Sequence, residues 1–178
     1  MSIAARGETF REPSWGVLAS TAGRAVSNDH VSDVARTRDG VVVTLRRSKT
    51  DQEGQGRTVG IPYGSRPQTC PVRALEDWLA ATRITEGPLF RGINRHGQLG
   101  RARLSDRSVA LIVKRAARAA GLDPRLYAGH SLRAGLATSA AEAGVSERAI
   151  MAQTGHTSVT MVRKYIRSSS QLSSNVVW

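Results

Sequence analysis

His130-Ser-Leu-Arg-Ala-Gly-Leu-Ala-Thr138, followed by Thr154-Gly-His-Thr-Ser158 and then by Tyr165, is the part of the 178-residue sequence that decides the fold. It places two histidines, an arginine and a tyrosine on segments that are typical of consecutive helices. Arginine grips phosphate oxygens through a planar fork of donors, and histidine exchanges protons near neutral pH. A tyrosine hydroxyl can act as a covalent nucleophile. Together these groups suit attack on a phosphodiester.

Apolar residues at helical spacing predict the helices that carry these four side chains. The first helix ends at Gly144, and its apolar stripe consists of Leu132, Leu136, Ala140 and Ala143. Ser146 is a suitable N-cap for the next helix, which Gly155 breaks. Ser158 begins a third helix, which contains Met161, Val162, Tyr165 and Ile166.

Each of the four side chains also has an ordinary structural explanation. His130 at a helix start can simply form hydrogen bonds, His156 can cap a turn, and Tyr165 can belong to the core. Arg133 lies one turn after His130, so that both side chains can point the same way, but His-x-x-Arg is a common pattern. The functional prediction therefore rests on the order and spacing of all four.

A β-hairpin is predicted upstream, because apolar residues alternate along two short segments. The first segment runs from residue 40 to 48, and its inward face consists of Val41, Val43 and Leu45. The second runs from residue 57 to 62, with Val59 and Ile61 on one face. Residues 50–56 form the turn, and Lys49 lies beside it.

Two helices and a loop are predicted between the hairpin and His130. Pro71 suits a first helical position, the unit ends at Glu86-Gly-Pro88, and its apolar side chains are Val72, Leu75, Trp78 and Leu79. Residues 90–103 have the composition of a polar, basic loop. Ser105 caps a helix to about Ala120, with Gly121 as its stop and with Val109, Ile112, Val113 and Ala116 facing inward. The predicted fold class is mainly α with a small β-hairpin (α+β).

The composition favours a polyanionic partner. Lys and Arg total 26 against 14 acidic residues, which gives a formal charge of +12. Such an excess suits nucleic acid, although a basic soluble protein or a protein that touches anionic membrane has the same balance. A single cysteine, Cys70, forms neither an internal disulfide nor a metal site. We find neither a membrane span nor a signal peptide, so we expect a cytoplasmic protein.

The ordered motifs resemble the catalytic domain of the tyrosine recombinases, the phage integrase family. Residues 130–138 are similar to that family's conserved helix, and residues 154–158 to its second histidine motif. Lys164-Tyr-Ile-Arg167 resembles its nucleophile helix. Lys49 stands where the family carries a catalytic lysine on a hairpin turn. The resemblance covers about residues 31–167.

The resemblance implies a role for each matching residue. Tyr165 would attack a DNA phosphate and form a 3′-phosphotyrosyl link, while Arg133 would hold the non-bridging oxygens. His130 would assist proton transfer, His156 would hydrogen-bond the phosphate, and Lys49 would protonate the leaving 5′ oxygen. The covalent link preserves the phosphodiester energy, so no nucleotide, other cofactor or metal is implied. The implied partners are double-stranded DNA and further copies of the chain, as a tetramer on DNA.

The sequence departs from the family pattern near its start. The family uses a second phosphate-binding arginine in a motif resembling Gly-Leu-Arg-x-x-Glu-Leu, and the register places that arginine near Ala22. Arg24 is the candidate, two residues out of register and without the glutamate and leucine that should follow. Family members also carry an N-terminal DNA-clamping domain, for which 178 residues leave no room. We therefore expect impaired activity.

The extent of the resemblance and the departure near the start predict three segments: an atypical, weakly ordered stretch at residues 1–30, a recombinase-like catalytic domain at 31–167 and a tail at 168–178. The leading functional prediction is a DNA-cleaving and rejoining site-specific recombinase. One alternative is an inactive DNA-binding remnant or a helix-turn-helix protein that uses residues 140–155, with Arg148 and Gln153 as base-reading groups. Another is an enzyme resembling the type IB topoisomerases.

Overall fold

The structure is a computed structural model that describes residues 30–46 and 56–165. Its strands and helices follow in the order β1 (Val34–Thr37), β2 (Gly40–Leu45), β3 (Arg57–Pro62), α1 (Pro71–Thr82), β4 (Arg91–Ile93), β5 (Leu99–Arg103), α2 (Asp106–Ala119), α3 (Gly129–Glu142) and α4 (Glu147–Thr154). A further helix, α5, covers residues 159–165. Single 3₁₀ turns occur at Val31–Asp33, Pro67–Thr69 and Pro124–Leu126. Arg24, Lys49 and the predicted tail at 168–178 lie outside the described residues.

The predicted hairpin is confirmed as β2 and β3. The two strands pair antiparallel, with Val41 opposite Ile61 and Val43 opposite Val59, and all four of these side chains are buried. β1 pairs with the other edge of β2 and makes a three-stranded sheet. The sequence interpretation did not include β1. This strand has only four residues, most of them are exposed, and apolar and polar positions do not alternate along it.

Helix α1 covers the sheet and closes the first hydrophobic core. Pro71 occupies its first turn, as predicted, after Cys70. The indole N–H of Trp78 donates to the carbonyl of Leu89 at 2.9 Å, which satisfies a buried donor. The helix stops at Thr82, because Arg83 adopts a left-handed conformation with φ 53°. The apolar side chains that the core collects from α1 include Val72, Leu75 and Trp78.

The prediction of a loop over residues 90–103 was wrong. Residues Arg91–Ile93 and Leu99–Arg103 form an antiparallel hairpin. Its turn is held by Asn94, whose side-chain oxygen accepts from the backbone N–H groups of His96 and Gln98. The strands are mostly exposed and rich in arginine, so they lack the apolar alternation that identifies a strand. Asparagine at the turn was the available signal.

Helix α2 matches its prediction except on its inward face. The Ser105 hydroxyl accepts from the backbone N–H of Ser108, so the predicted N-cap is confirmed. Val113 and Ala117 are buried, whereas the predicted Ala116 is exposed. Since both i+3 and i+4 fit a helical repeat of 3.6 residues, the sequence alone does not choose between the two alanines.

A second core joins α3, α4 and α5 through Ala137, Ile150 and Val162, which are at most 2% exposed. Of the stripe predicted for α3, Ala140 packs partly buried against this core and Ala143 is exposed, while the fully buried residue of the helix is Ala137. Alanine occurs so often in this helix that its pattern hardly distinguishes one face from the next. The predicted cap is confirmed at Ser146, whose hydroxyl accepts from the Ala149 backbone N–H.

Candidate active site

The first turn of α3 carries His130 and Arg133. The helix begins at Gly129, and the backbone N–H of Ala128 donates to the Ser131 hydroxyl at 3.0 Å. His130 is exposed and Arg133 is half-buried. The three-residue spacing places the two side chains on the same side of the helix. Because a helix N-terminus favours negative charge, this end of α3 suits a phosphate group.

His156 is oriented by Thr154, which is only 4% exposed. The Thr154 Oγ1 atom lies 2.6 Å from the carbonyl oxygen of Ile150 and 2.6 Å from Nδ1 of His156. A carbonyl only accepts, so the single hydroxyl proton goes to Ile150. Nδ1 of His156 must then be the donor to Oγ1. In the neutral ring this leaves the lone pair on Nε2.

Tyr165 lies beside His156. The two ring centroids are 5.5 Å apart and the rings are tilted by 50°, which is an ordinary contact distance for aromatic rings. The backbone carbonyl of Tyr165 also accepts from the Thr138 hydroxyl of α3 at 3.3 Å. Both rings are half-buried. The structure therefore joins the second-histidine segment and the tyrosine helix to the helix that carries His130 and Arg133.

Helix α5 is fixed at two further points. Val162 is fully buried in the second core. Arg163 forms a two-pronged ion pair with Glu147, with Nε 2.8 Å from Oε1 and Nη2 3.1 Å from Oε2. The hydrogen bond from Arg163 lowers the pKa of Glu147 below its usual value, and the reverse interaction raises the pKa of Arg163. These contacts hold Tyr165 in place from the residues just before it.

The sequence interpretation gave no role to three residues that shape this site: Thr138, Thr154 and Arg57. Thr154 directly precedes the Gly-His motif, and a helix-ending threonine that can bond four residues back was a usable signal. Arg57 donates to the carbonyl of Ala152, 95 residues away, at 2.8 Å. No local pattern indicates a contact of that separation.

Lys49 and Arg24 lie outside the described residues. Within the described residues no three His, Cys, Asp or Glu side chains form a group that could hold a metal ion. In the same part of the chain, no helix is long and apolar enough to cross a membrane.

Positive charge is concentrated on the β4–β5 hairpin and α2. Residues 87–122 contain seven arginines and one lysine against a single acid, Asp106. The arginines that the structure places in exposed positions there are Arg95, Arg101, Arg103, Arg107, Arg115 and Arg118. A surface of this kind attracts the phosphate backbone of nucleic acid.

The model of the phage integrase family matches residues 30–171. An integrase/recombinase XerD homolog of Selenomonas ruminantium is 46% identical over 145 residues, which cover 82% of this chain. The chain therefore belongs to the phage integrase family. It spans 42% of the length of the Selenomonas protein.

Solved structures show the same fold. The XerH site-specific recombinase, bound to palindromic difH substrate in a post-cleavage complex, superposes with a TM-score of 0.64 at 17% identity. The match covers 89% of this chain and 42% of that one. The XerA recombinase gives 0.62 at 20% identity, over 91% of this chain and 56% of the other. These likenesses support the predicted recombinase catalytic-domain fold.

Proposed function

We propose that this chain is the strand-cleaving and rejoining part of a site-specific DNA recombinase, with its catalytic domain at residues 31–167. The observation that carries the proposal is the contact between His156 and Tyr165, made within a phage integrase fold and with the imidazole oriented by Thr154. A tyrosine that only fills the core would not need a neighbouring histidine, nor a buried hydroxyl that fixes which ring nitrogen of that histidine carries the proton.

In this proposal the Tyr165 oxygen attacks a DNA phosphorus, and the bond from phosphorus to the 5′ oxygen breaks. Arg133 neutralises the charge that develops on the non-bridging oxygens, and His130 assists transfer of the phenol proton. Once Nε2 is protonated as well, the His156 imidazolium donates a hydrogen bond to the phosphate, and Lys49 protonates the leaving 5′ oxygen. The reverse steps rejoin the strand. One phosphodiester bond is exchanged for another, so no nucleotide or metal is required.

The early arginine limits the expected rate. The family match begins at residue 30, after Arg24, and Arg24 is therefore a weak candidate for the second phosphate ligand. Loss of one preorganised donor of this kind typically costs on the order of 10²–10³ in rate. We accordingly propose a slow cleavage reaction for the chain as it stands, with an inactive DNA-binding remnant as the alternative.

The helix-turn-helix alternative receives less support. It needs α4 as a reader helix with Arg148 and Gln153 directed at base edges. Gln153 instead donates from Nε2 to the carbonyl of Gly60 at 3.0 Å. The Gln153 amide is thus already engaged in a hydrogen bond within the protein and is not directed at a base edge, which favours a scaffold role for α4.

Double-stranded DNA is the proposed partner. The XerH site-specific recombinase is bound to palindromic difH substrate in its structure, and the basic segment 87–122 suits a phosphate backbone here. By its family, the chain would assemble as a tetramer on two duplexes.

The test is a pool of nicked duplexes of randomised sequence, in which the short strand beyond the cleaved bond diffuses away and traps the intermediate. Wild-type protein should form a covalent DNA adduct that survives denaturing electrophoresis. Tyr165→Phe should form none and should still bind the pool. Wild-type protein that binds the pool but forms no adduct would contradict the enzyme proposal and leave the DNA-binding remnant, whereas an equal adduct from Tyr165→Phe would show that another residue is the nucleophile.

A further inference from the structure

Arg57 connects the sheet to the helix that precedes His156. Its guanidinium extends from β3 to the C-terminal end of α4, with Nη1 2.8 Å from the carbonyl oxygen of Ala152 and 3.5 Å from that of Gln153. Carbonyls in the last turn of a helix have no partner within the helix. A cation at this end also interacts favourably with the helix dipole. Arg57 therefore caps α4 from outside.

The cap continues over Gly155. This glycine has φ 70°, a left-handed conformation that side chains disfavour. A Cβ atom at Gly155 would also lie 2.7 Å from Nη2 and 2.8 Å from Cζ of Arg57. The guanidinium is thus packed directly on the backbone that leads into His156. Gly155 is required for its conformation and for the space that the guanidinium occupies.

A second bond runs between the same two elements in the opposite direction. Gln153 donates from α4 to the carbonyl of Gly60 on β3 at 3.0 Å. Two links between one strand and one helical turn fix the position and the direction of that turn more firmly than either link alone. The turn ends at Thr154, whose hydroxyl orients the His156 ring.

We propose that Arg57 is a positioning residue for His156. By capping α4 and packing on Gly155, it keeps the imidazole ring beside Tyr165 and keeps the ring proton on Nδ1. The inference rests on the proposed function for its catalytic consequence, but the positioning itself is a property of the protein without DNA.

A direct phosphate-binding role for Arg57 is the rival interpretation. Two observations disfavour it. Its Nη1 atom donates to main-chain carbonyls of α4. Its guanidinium is also half-buried, and this loss of water lowers its pKa from the usual value. An arginine that grips DNA phosphates gains most when its fork of donors is open to the ligand.

The experiment compares wild type with Arg57→Gln, Arg57→Lys and the charge-matched control Arg66→Gln, which alters an exposed residue. The first readout is the imidazole ¹⁵N spectrum without DNA, with the His156 signals assigned by their loss in His156→Gln. Wild type and Arg66→Gln should show the Nδ1–H tautomer of His156. Arg57→Gln should show a mixture, and Arg57→Lys, which keeps one charged donor, an intermediate state.

The second readout is adduct formation with the nicked DNA pool. Arg57→Gln should slow the reaction about 10- to 100-fold at saturating DNA, as expected for a displaced catalytic group. It should leave the salt dependence of DNA binding unchanged. A lost phosphate contact would instead reduce the slope of log affinity against log salt by about 0.9, and that result would overturn the proposal.

The outcomes separate the two proposals. An unchanged His156 tautomer in folded Arg57→Gln would overturn the positioning role whatever the enzyme does. If Arg57→Gln does not fold, the same criterion applies to Arg57→Lys. If wild type forms no adduct, the proposed function fails, and the tautomer comparison still decides the role of Arg57.

Discussion

The centroids of the His156 imidazole and the Tyr165 phenol rings lie 5.5 Å apart, although His156 lies in the connection between α4 and α5 and Tyr165 lies in α5. Three contacts fix this relationship: the Thr154 hydroxyl on His156, the Thr138 hydroxyl on the carbonyl of Tyr165, and the burial of Val162. Each can be removed by a conservative substitution, so the contribution of each to the site can be measured.

Thr154→Val should separate orientation from folding. Valine has nearly the same shape as threonine but cannot accept the Nδ1 proton of His156. We expect the tautomer preference to be lost and the rate of adduct formation to fall about 10- to 100-fold. Thr160→Val, on the exposed side of α5, is the matched control. Retention of full activity and of the Nδ1–H tautomer in Thr154→Val would show that the threonine does not orient the ring.

Val162→Ala should loosen the helix that carries Tyr165. The side chain is fully buried between α3 and α4, so its truncation should lower the free energy of unfolding by about 2 kcal/mol. Val159→Ala, at a position that is 39% exposed, should cost much less. Urea unfolding followed by circular dichroism measures both. Equal losses for the two variants would contradict the placement of α5.

Acid should weaken the attachment of α5. Arg163 holds the pKa of Glu147 below its usual value of 4.5, so the ion pair stabilises the folded state fully above that value. The contribution is lost as the pH falls further, through the lowered pKa of Glu147 in the folded protein. Wild type should therefore exceed Glu147→Gln in unfolding free energy at pH 7, with the difference shrinking as the pH falls below 4.5. A difference that stays constant over this range would show that the pair does not contribute.

Lys49→Ala tests the proposed general acid. An alkoxide is a poor leaving group and needs a proton, whereas a thiolate leaves without one because thiols ionise near pH 8.5. We expect Lys49→Ala to slow adduct formation by about 10²–10⁴ on ordinary DNA. Sulfur in place of the 5′ bridging oxygen should restore most of the rate. A defect of equal size on both substrates would assign Lys49 to DNA binding instead.

Local sequence rules predicted the parts of the fold whose signals are local. The alternation of Val41, Val43 and Leu45 gave the correct inward face of β2, and Ser105 and Ser146 were correctly identified as caps. The arginine-rich hairpin at residues 91–103 was missed, because its strands are exposed and do not alternate.

The site shows the same division. His130, Arg133, His156 and Tyr165 were selected by their order along the chain, and the structure places His156 against Tyr165. The contact between Arg57 and Ala152 depends on how β3 meets α4 in three dimensions. No spacing within either segment indicates it.

Peptide mapping of the trapped adduct tests most directly whether the phenol oxygen of Tyr165 forms the covalent bond to DNA. After digestion with nuclease and trypsin, mass spectrometry should find the nucleotide remnant on the peptide that begins at Tyr165, joined through a 3′ phosphate. A remnant on any other residue, or an adduct of equal yield from Tyr165→Phe, would contradict the account.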